Sequence, residues 1–280
     1  MYRMQHWCRR ALMPLVFVLG CGRGLKAPPA PVEQPASLLE VARKRPVPEV
    51  VAARVSLKVR SKPLKLAGTV GAGLVVERPG RGRLDVVGPF GGTLLTLSSD
   101  GEALSVLLVG ARRHLVAADA EAVVREVSSG AAGLDDLVSV LVGDIPFDDV
   151  EATAVSAAED GSAMARLEGP RDTELEVHLD QAGMPTRIDA FDPKGGLLLS
   201  AVYEGFEEVD GGTLPTALTL ELPSLELTID MRYKSWSVLG EAPVDFTVGT
   251  PEGFAAESLE DAVRAAAVSA ALQMMAPAGD

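Results

Sequence analysis

Leu225-Glu226-Leu227-Thr228-Ile229-Asp230-Met231-Arg232-Tyr233 alternates apolar and polar residues without a break. Successive side chains of an extended strand point to opposite faces, so five apolar residues share one face here and four polar ones share the other. A strand of that kind is buried on one side and wet on the other, and it needs a sheet around it. The same period recurs upstream. In 54–60, Val55, Leu57 and Val59 oppose Arg54, Lys58 and Arg60. In 64–76 the even positions Leu64, Leu66, Val70, Ala72, Leu74 and Val76 form an apolar file, and Gly68, Gly71 and Gly73 interrupt it. Glycines inside a strand predict a bulge or bend, as a curling sheet requires.

Working outward, further strands are predicted over 83–88, 93–98, 103–109, 112–117, 173–179, 186–191, 197–206 and 217–222. Asp100-Gly101, Gly183-Met184-Pro185, Asp192-Pro193-Lys194-Gly195-Gly196 and Asp210-Gly211-Gly212 supply turn chemistry between them. Two helices interrupt the series. Asp119 is placed to cap 120–128, where Ala122, Val123, Val124 and Val127 make an apolar stripe; 134–142 carries Leu134, Leu137, Val138 and Leu141 at helical spacing. A short helix capped by Ser37 runs through Lys44, with Leu38, Leu39 and Val41 on its buried side. An alanine-rich helix, 258–274 within a C-terminal segment 254–280, either packs on the body or stands apart. The fold class is mainly β with some helix (α+β): an incomplete curved antiparallel barrel whose inserted helices lid an apolar concave face. That face is either a filled core or a lipid-sized cavity, and periodicity does not separate the two.

The N-terminus carries the sharpest motif. Arg9 and Arg10 precede an apolar run, 11–20, and Val18-Leu19-Gly20-Cys21 reads as a lipoprotein cleavage box. Residues 1–20 are then a signal peptide, and Cys21 becomes the lipid-bearing N-terminus. Residues 21–36 hold four prolines and no apolar periodicity, which predicts an extended tether. The folded body follows as 37–253. Losing 1–20 removes Arg3, Arg9 and Arg10 and shifts the formal net charge from −13 to −16. So acidic a chain is repelled by nucleic acid and anionic headgroups. Cys8 leaves with the signal and Cys21 carries lipid, so no thiol remains for a disulfide, a metal or nucleophilic catalysis.

No catalytic or cofactor motif emerges. His114 and His178 are isolated, without zinc spacing, and there is no G-x-S-x-G or S-x-x-K. Asp135-Asp136 and Asp148-Asp149 read as solvated caps, and Arg78, Arg81 and Arg83 as a positive hairpin. The expectation is a protein that is not an enzyme and binds no cofactor or metal.

Several stretches in this order resemble the LolB-like branch of the LolA/LolB lipoprotein-localisation superfamily. They are the lipobox and tether; Arg83-Leu84-Asp85-Val86-Val87-Gly88-Pro89-Phe90-Gly91; Ala117-Ala118-Asp119-Ala120-Glu121-Ala122; the helix from Leu137 to Pro146; and the Gly183-Met184-Pro185 hairpin. Two features depart from that pattern: Trp236 is the sole tryptophan after the signal, and a C-terminal helix is added. The resemblance implies a monomeric, lipid-anchored protein on the periplasmic face of the outer membrane. It would receive acyl chains of lipoproteins from a LolA-like periplasmic carrier and help insert them in the bilayer. Gly22, where an aspartate would retain a lipoprotein in the inner membrane, implies the same location. The membrane or cargo loop implied by the family falls on Pro89 and Phe90. The candidate lining of the concave face is Leu57, Leu66, Leu74, Val86, Leu137, Leu141, Leu220, Leu227 and Ile229. The alternative function is a structural or assembly lipoprotein with a filled β core that binds a protein partner.

Overall fold

The computed structural model describes residues 35–61, 66–146, 150–169 and 172–263. Cys21 and the tether up to residue 34, Asp148-Asp149, and the C-terminal segment beyond Val263 lie outside them; Pro35 and Ala36, read as tether, open the first helix. The chain opens with α1 (Pro35–Lys44) and then forms β1 (Val50–Ser61), β2 (Leu66–Glu77), β3 (Arg81–Val87), β4 (Thr93–Asp100), β5 (Leu104–Leu108) and β6 (Arg113–Ala117). Two helices follow, α2 (Ala120–Val127) and α3 (Leu134–Leu141). The chain then returns through β7 (Ala152–Ala157), β8 (Ala163–Glu168), β9 (Glu174–Leu179), β10 (Pro185–Phe191), β11 (Leu197–Tyr203), β12 (Phe206–Val209), β13 (Gly212–Pro215), β14 (Ala217–Leu222), β15 (Leu227–Leu239) and β16 (Ala255–Ser258).

Fourteen strands make one sheet in the order β16-β6-β5-β4-β3-β2-β1-β15-β14-β11-β10-β9-β8-β7, and β12-β13 is a separate hairpin. Every pair in the large sheet is antiparallel except β16 on β6. The order explains where the helices go. The chain walks outward from β1 to β6, crosses to the opposite edge through α2 and α3, and walks back until β15 closes against β1. The crossing helices therefore lie over one face of a sheet that curves without closing into a barrel.

Leu225 and Glu226 fall outside the strand their alternation predicts. Pro223–Leu225 is a single 3-10 turn and Glu226 takes a left-handed conformation with φ 43°, so β15 begins at Leu227. Proline removes a ladder donor and favours the turn. No bulge marks Gly68, Gly71 and Gly73: β1 and β2 pair without a shift over their full length. The irregularity lies on the other side of β1, between Arg54 and Val55 against β15. A Cβ added at any of the three glycines would meet nothing within 4 Å, so no close approach demands them.

Other expectations shift in smaller ways. β7 and β8 were not legible, because 152–157 carries Ala, Thr and Ser at the sheet edge with little apolar contrast. The strand predicted through Phe206 breaks at Gly205, φ 143°, and Phe206 starts the β12-β13 hairpin instead. Ala255–Ser258 is strand, not helix, since it adds to the free edge of β6. In α1 the buried residues are Leu38, Leu39 and Ala42, while Val41 is 53% exposed. The reading missed by one position, because residues 38, 39 and 42 share a face on a 3.6-residue turn and 41 lies at its border. In α2 the buried set is Ala120, Val123 and Val124, with Ala122 exposed. Asp119 caps α2 as expected, accepting from the Ala122 amide at 2.8 Å.

Candidate functional site: the concave face

The register fixes which side chains share the inner face. Leu57 pairs with Val70 and Met231, and Val59 with Gly68 and Ile229. Leu74 pairs with Leu84 and Ala72 with Val86, while Leu84 and Val86 pair in turn with Leu97 and Leu95. Antiparallel alternation also fixes the ends. The β3-β4 turn, the β5-β6 turn and the start of β15 share one end with the last residues of β1; this is the rim. The β2-β3 turn lies at the opposite end.

Helices cover the end opposite the rim. Arg78, in the β2-β3 turn, donates to Asp144 just past α3 at 2.6 Å, and Gly80 lies against Leu134. The Tyr203 hydroxyl donates to the Val140 carbonyl at 2.9 Å and the Tyr233 hydroxyl to the Leu141 carbonyl at 2.8 Å. These bonds engage carbonyls of the last helical turn, which lack partners within the helix. Burial pushes both tyrosine hydroxyls up from their ordinary range, so they stay protonated donors. Arg45 completes the clamp. Its guanidinium donates to the carbonyls of Thr213 and Gly143 and lies 5.3 Å from the Phe206 ring centre, which joins α1, the β12-β13 hairpin and the end of α3. Burial lowers its pKa from a very high ordinary value.

Toward the rim burial becomes uneven. Leu57, Leu74 and Leu220 are buried at 3%, 4% and 6% exposure, deep in the main apolar cluster. Val86, Leu137, Leu141, Leu227 and Ile229 pack on the same cluster but are only partly buried. The structure thus brings eight of the nine candidate lining residues together; Leu66 stands in β2, with its side chain outside the described residues. The candidate lining left out four neighbours, of which Val59 and Val70 had been read on the apolar face of their strands. Val59 and Val70 are half-buried, Leu95 is half-buried and Leu97 is 36% exposed. Leu97 is masked in sequence by the polar run Thr96, Ser98, Ser99. Gly68 leaves the surface beside Val70 open. The result is a partly buried apolar strip across β15, β1, β2, β3 and β4 that reaches the rim. Two depressions of about 370 and 590 Å³ lie elsewhere, on the outer side of β7–β9 and beside α1.

Phe90 stands at the same rim. It is 100% exposed in the β3-β4 turn, with Pro89 exposed before it. Leu94 at 48% and Val109 at 36% flank the tip, tied by the Val109 amide to the Leu94 carbonyl at 3.1 Å. Contiguous exposed apolar side chains on a loop tip mark a contact surface.

The remaining candidates resolve into structure. Arg83 pairs with Asp85 at 2.9 Å, Arg81 with Glu77, and Arg78 with Asp144, so the basic cluster is neutralised. Arg81 also lies 4.7 Å over the ring of Phe246, a residue buried on the outer face by a strap that follows β15. Asp136 accepts from the Gly133 amide at 2.7 Å as a helix cap, and burial raises its pKa. His114 is buried at 2% exposure under the strap, with Nδ1 2.7 Å from the Thr250 hydroxyl. His178 lies on the polar face, 3.9 Å from Glu176. Among the described residues no cluster of His, Cys, Asp and Glu could hold a metal, and no helix is long and apolar enough to cross a membrane.

The fold is similar to that of solved LolA-superfamily structures. A lipoprotein-sorting candidate domain of the outer membrane from Vibrio parahaemolyticus aligns at TM-score 0.53 and 14% identity, covering 76% of this chain and 97% of its own. A LolA superfamily protein from Nitrosomonas europaea aligns at TM-score 0.50 and 15% identity over 76% and 97%. A DUF1329 family protein from Desulfovibrio piger gives 0.50 and 12% over 76% and 94%. No family model and no curated protein sequence matches the chain.

Proposed function

We propose that this chain is a lipid-anchored acyl-chain-binding protein at the periplasmic face of the outer membrane, which receives lipoproteins and helps insert them. One observation carries the reading: the inner apolar strip reaches, only partly buried, the same end of the sheet that presents Phe90. A carrier has to load a chain from one side and release it to a bilayer on that side, so mouth and tip belong together. Leaving sixteen methylenes in water costs roughly 13 kcal/mol, at about 0.8 kcal/mol each. A half-covered strip returns part of that, which holds the chain yet lets a bilayer take it downhill without nucleotide. Cys21 supplies the anchor, a LolA-like carrier is the donor, and the chain acts as a binding module, not a catalyst.

Purified chain with Cys21→Ser should bind a fluorescent fatty acid, and mass spectrometry should find copurified acyl lipid. Absence of both removes the reading. A second reading rests on Leu57, Leu74 and Leu220 of the same face, which are packed shut. A sheet filled throughout would be an assembly lipoprotein that binds a protein partner, and it would bind no acyl probe.

A further inference from the structure

The large sheet ends on β16 at one side and on β7 at the other, and the two edges are built differently. An open edge carries unpaired amides and carbonyls, and proteins blunt it with short strands and charged side chains. β16 is four residues long and holds Glu257 in an ion pair with Arg113. β7 is six residues, Ala152-Thr153-Ala154-Val155-Ser156-Ala157, with no charge, proline or glycine. Its register against β8 shifts once, between Ala152 and Ala154, and is regular from there to Ala157. The hairpin closes on a bond from the Ala158 amide to the Ser162 carbonyl at 2.9 Å. Bonded pairs alternate along an antiparallel ladder, so Ser156 and Ala154 also bond toward β8. Val155 and Ala157 therefore aim their amides and carbonyls away from it. Among the described residues no strand lies on that side. Thr153, Ala154, Ser156 and Ala157 are exposed.

The outer face beside this edge is hollowed and acidic. The depression of about 370 Å³ is lined by Ser156, Ala157, Met164 and His178 together with Asp160 and Asp180. Each aspartate is fixed through one oxygen. Asp160 accepts from the Ser162 amide at 3.0 Å and hydroxyl at 2.7 Å, and Asp180 from the Ala182 and Met184 amides at 2.8 and 2.9 Å. Among the described residues neither meets a cation, because the nearby guanidinium groups are engaged elsewhere: Arg166 pairs with Glu174 and Glu176, and Arg187 with Asp189. Glu159, exposed in the same turn, adds to the negative charge. The end of the edge at the β7-β8 hairpin thus presents open backbone groups next to a hollow that lacks a counter-charge. A second copy of β7 would not supply one, since 150–162 holds Glu151, Glu159 and Asp160 and no lysine or arginine.

We propose that β7 docks an extended, basic peptide segment of a protein partner, which adds to the sheet as a further strand. Its backbone pairs with Val155 and Ala157, and a Lys or Arg side chain settles between Asp160 and Asp180. A strand in that place lies about 4.8 Å beyond Ser156 and Ala157, beside the hollow they line. The surface is separate from the inner apolar strip and does not depend on acyl binding. The test titrates the Cys21→Ser chain into a fluorescein-labelled twelve-residue peptide of alternating threonine and valine with lysine and arginine at both ends, read by anisotropy. The basic peptide should bind at least ten-fold more tightly than a copy with glutamates at those ends, and about 0.5 M NaCl should weaken it. Methylating alternate peptide amides should abolish binding, since the ladder then has no donors. Ala157→Pro removes an outward donor and spares the bonds to β8, so it should cost at least five-fold in affinity at unchanged circular dichroism. Asp160→Asn with Asp180→Asn keeps both turn acceptors and should bring the basic and acidic peptides to equal affinity, which covers the case where the proline disturbs folding. No binding of the basic peptide, equal affinity of the two peptides for the starting chain, or binding that survives amide methylation overturns the proposal. So does a chain that sediments as a dimer and is made monomeric by Ala157→Pro, which assigns the edge to a second copy.

Discussion

Phe90 separates a structural role from a functional one, because a fully exposed side chain contributes little to folding. Phe90→Glu should keep the thermal midpoint within about 3 °C, a shift worth under about 1 kcal/mol for a chain of this size. It should abolish delivery of a labelled lipoprotein to vesicles, and undiminished delivery removes Phe90 from the mechanism. His114 gives the opposite kind of residue. Its burial holds the imidazole below its ordinary pKa, so the unfolded chain takes up the proton first as pH falls. The stability supplied by the neutral ring is intact above about pH 6.5 and drains away as pH falls from there toward the folded value. His114→Leu should flatten the fall in denaturant midpoint between pH 7 and pH 5.5. Equal slopes in the two proteins would show that another group sets it.

The elements are held at their junctions. Arg45 serves three of them at once, and its two carbonyl partners belong to segments far apart in sequence. Arg45→Met keeps the aliphatic packing but strands those carbonyls, at a cost of about 2–4 kcal/mol by urea denaturation. Tyr203→Phe with Tyr233→Phe frees the end of α3 and should cost about 1–3 kcal/mol. Amide exchange should then rise in α3 while β1 and β2 stay protected; uniform exchange would mean α3 is not separately clamped. None of these clamps was legible in the sequence, since each joins residues far apart along the chain through backbone carbonyls that carry no residue identity. What was legible was each element's own pattern, as in the Asp119 cap and the alternation of β1.

At the scale of the whole molecule, the question is how much of one large inner face stays wet. Val70→Glu places a carboxylate on the partly buried strip, where it can reach water, so the fold should survive while fatty-acid affinity falls at least ten-fold. Unchanged affinity would move the binding site off the strip. The sequence alone determined that the chain is mainly β, which side of each strong strand is apolar, and that two capped helices interrupt the strands. Those features follow from side-chain periodicity and local hydrogen bonding, which depend on neighbours a few positions away. Only the tertiary structure decided that β15 closes on β1, that the alanine- and serine-rich 152–157 is an edge strand, and that burial becomes uneven toward the rim. Strand order and partial burial depend on which distant surfaces meet, and an apolar residue reads the same in sequence whether a helix covers it or water does.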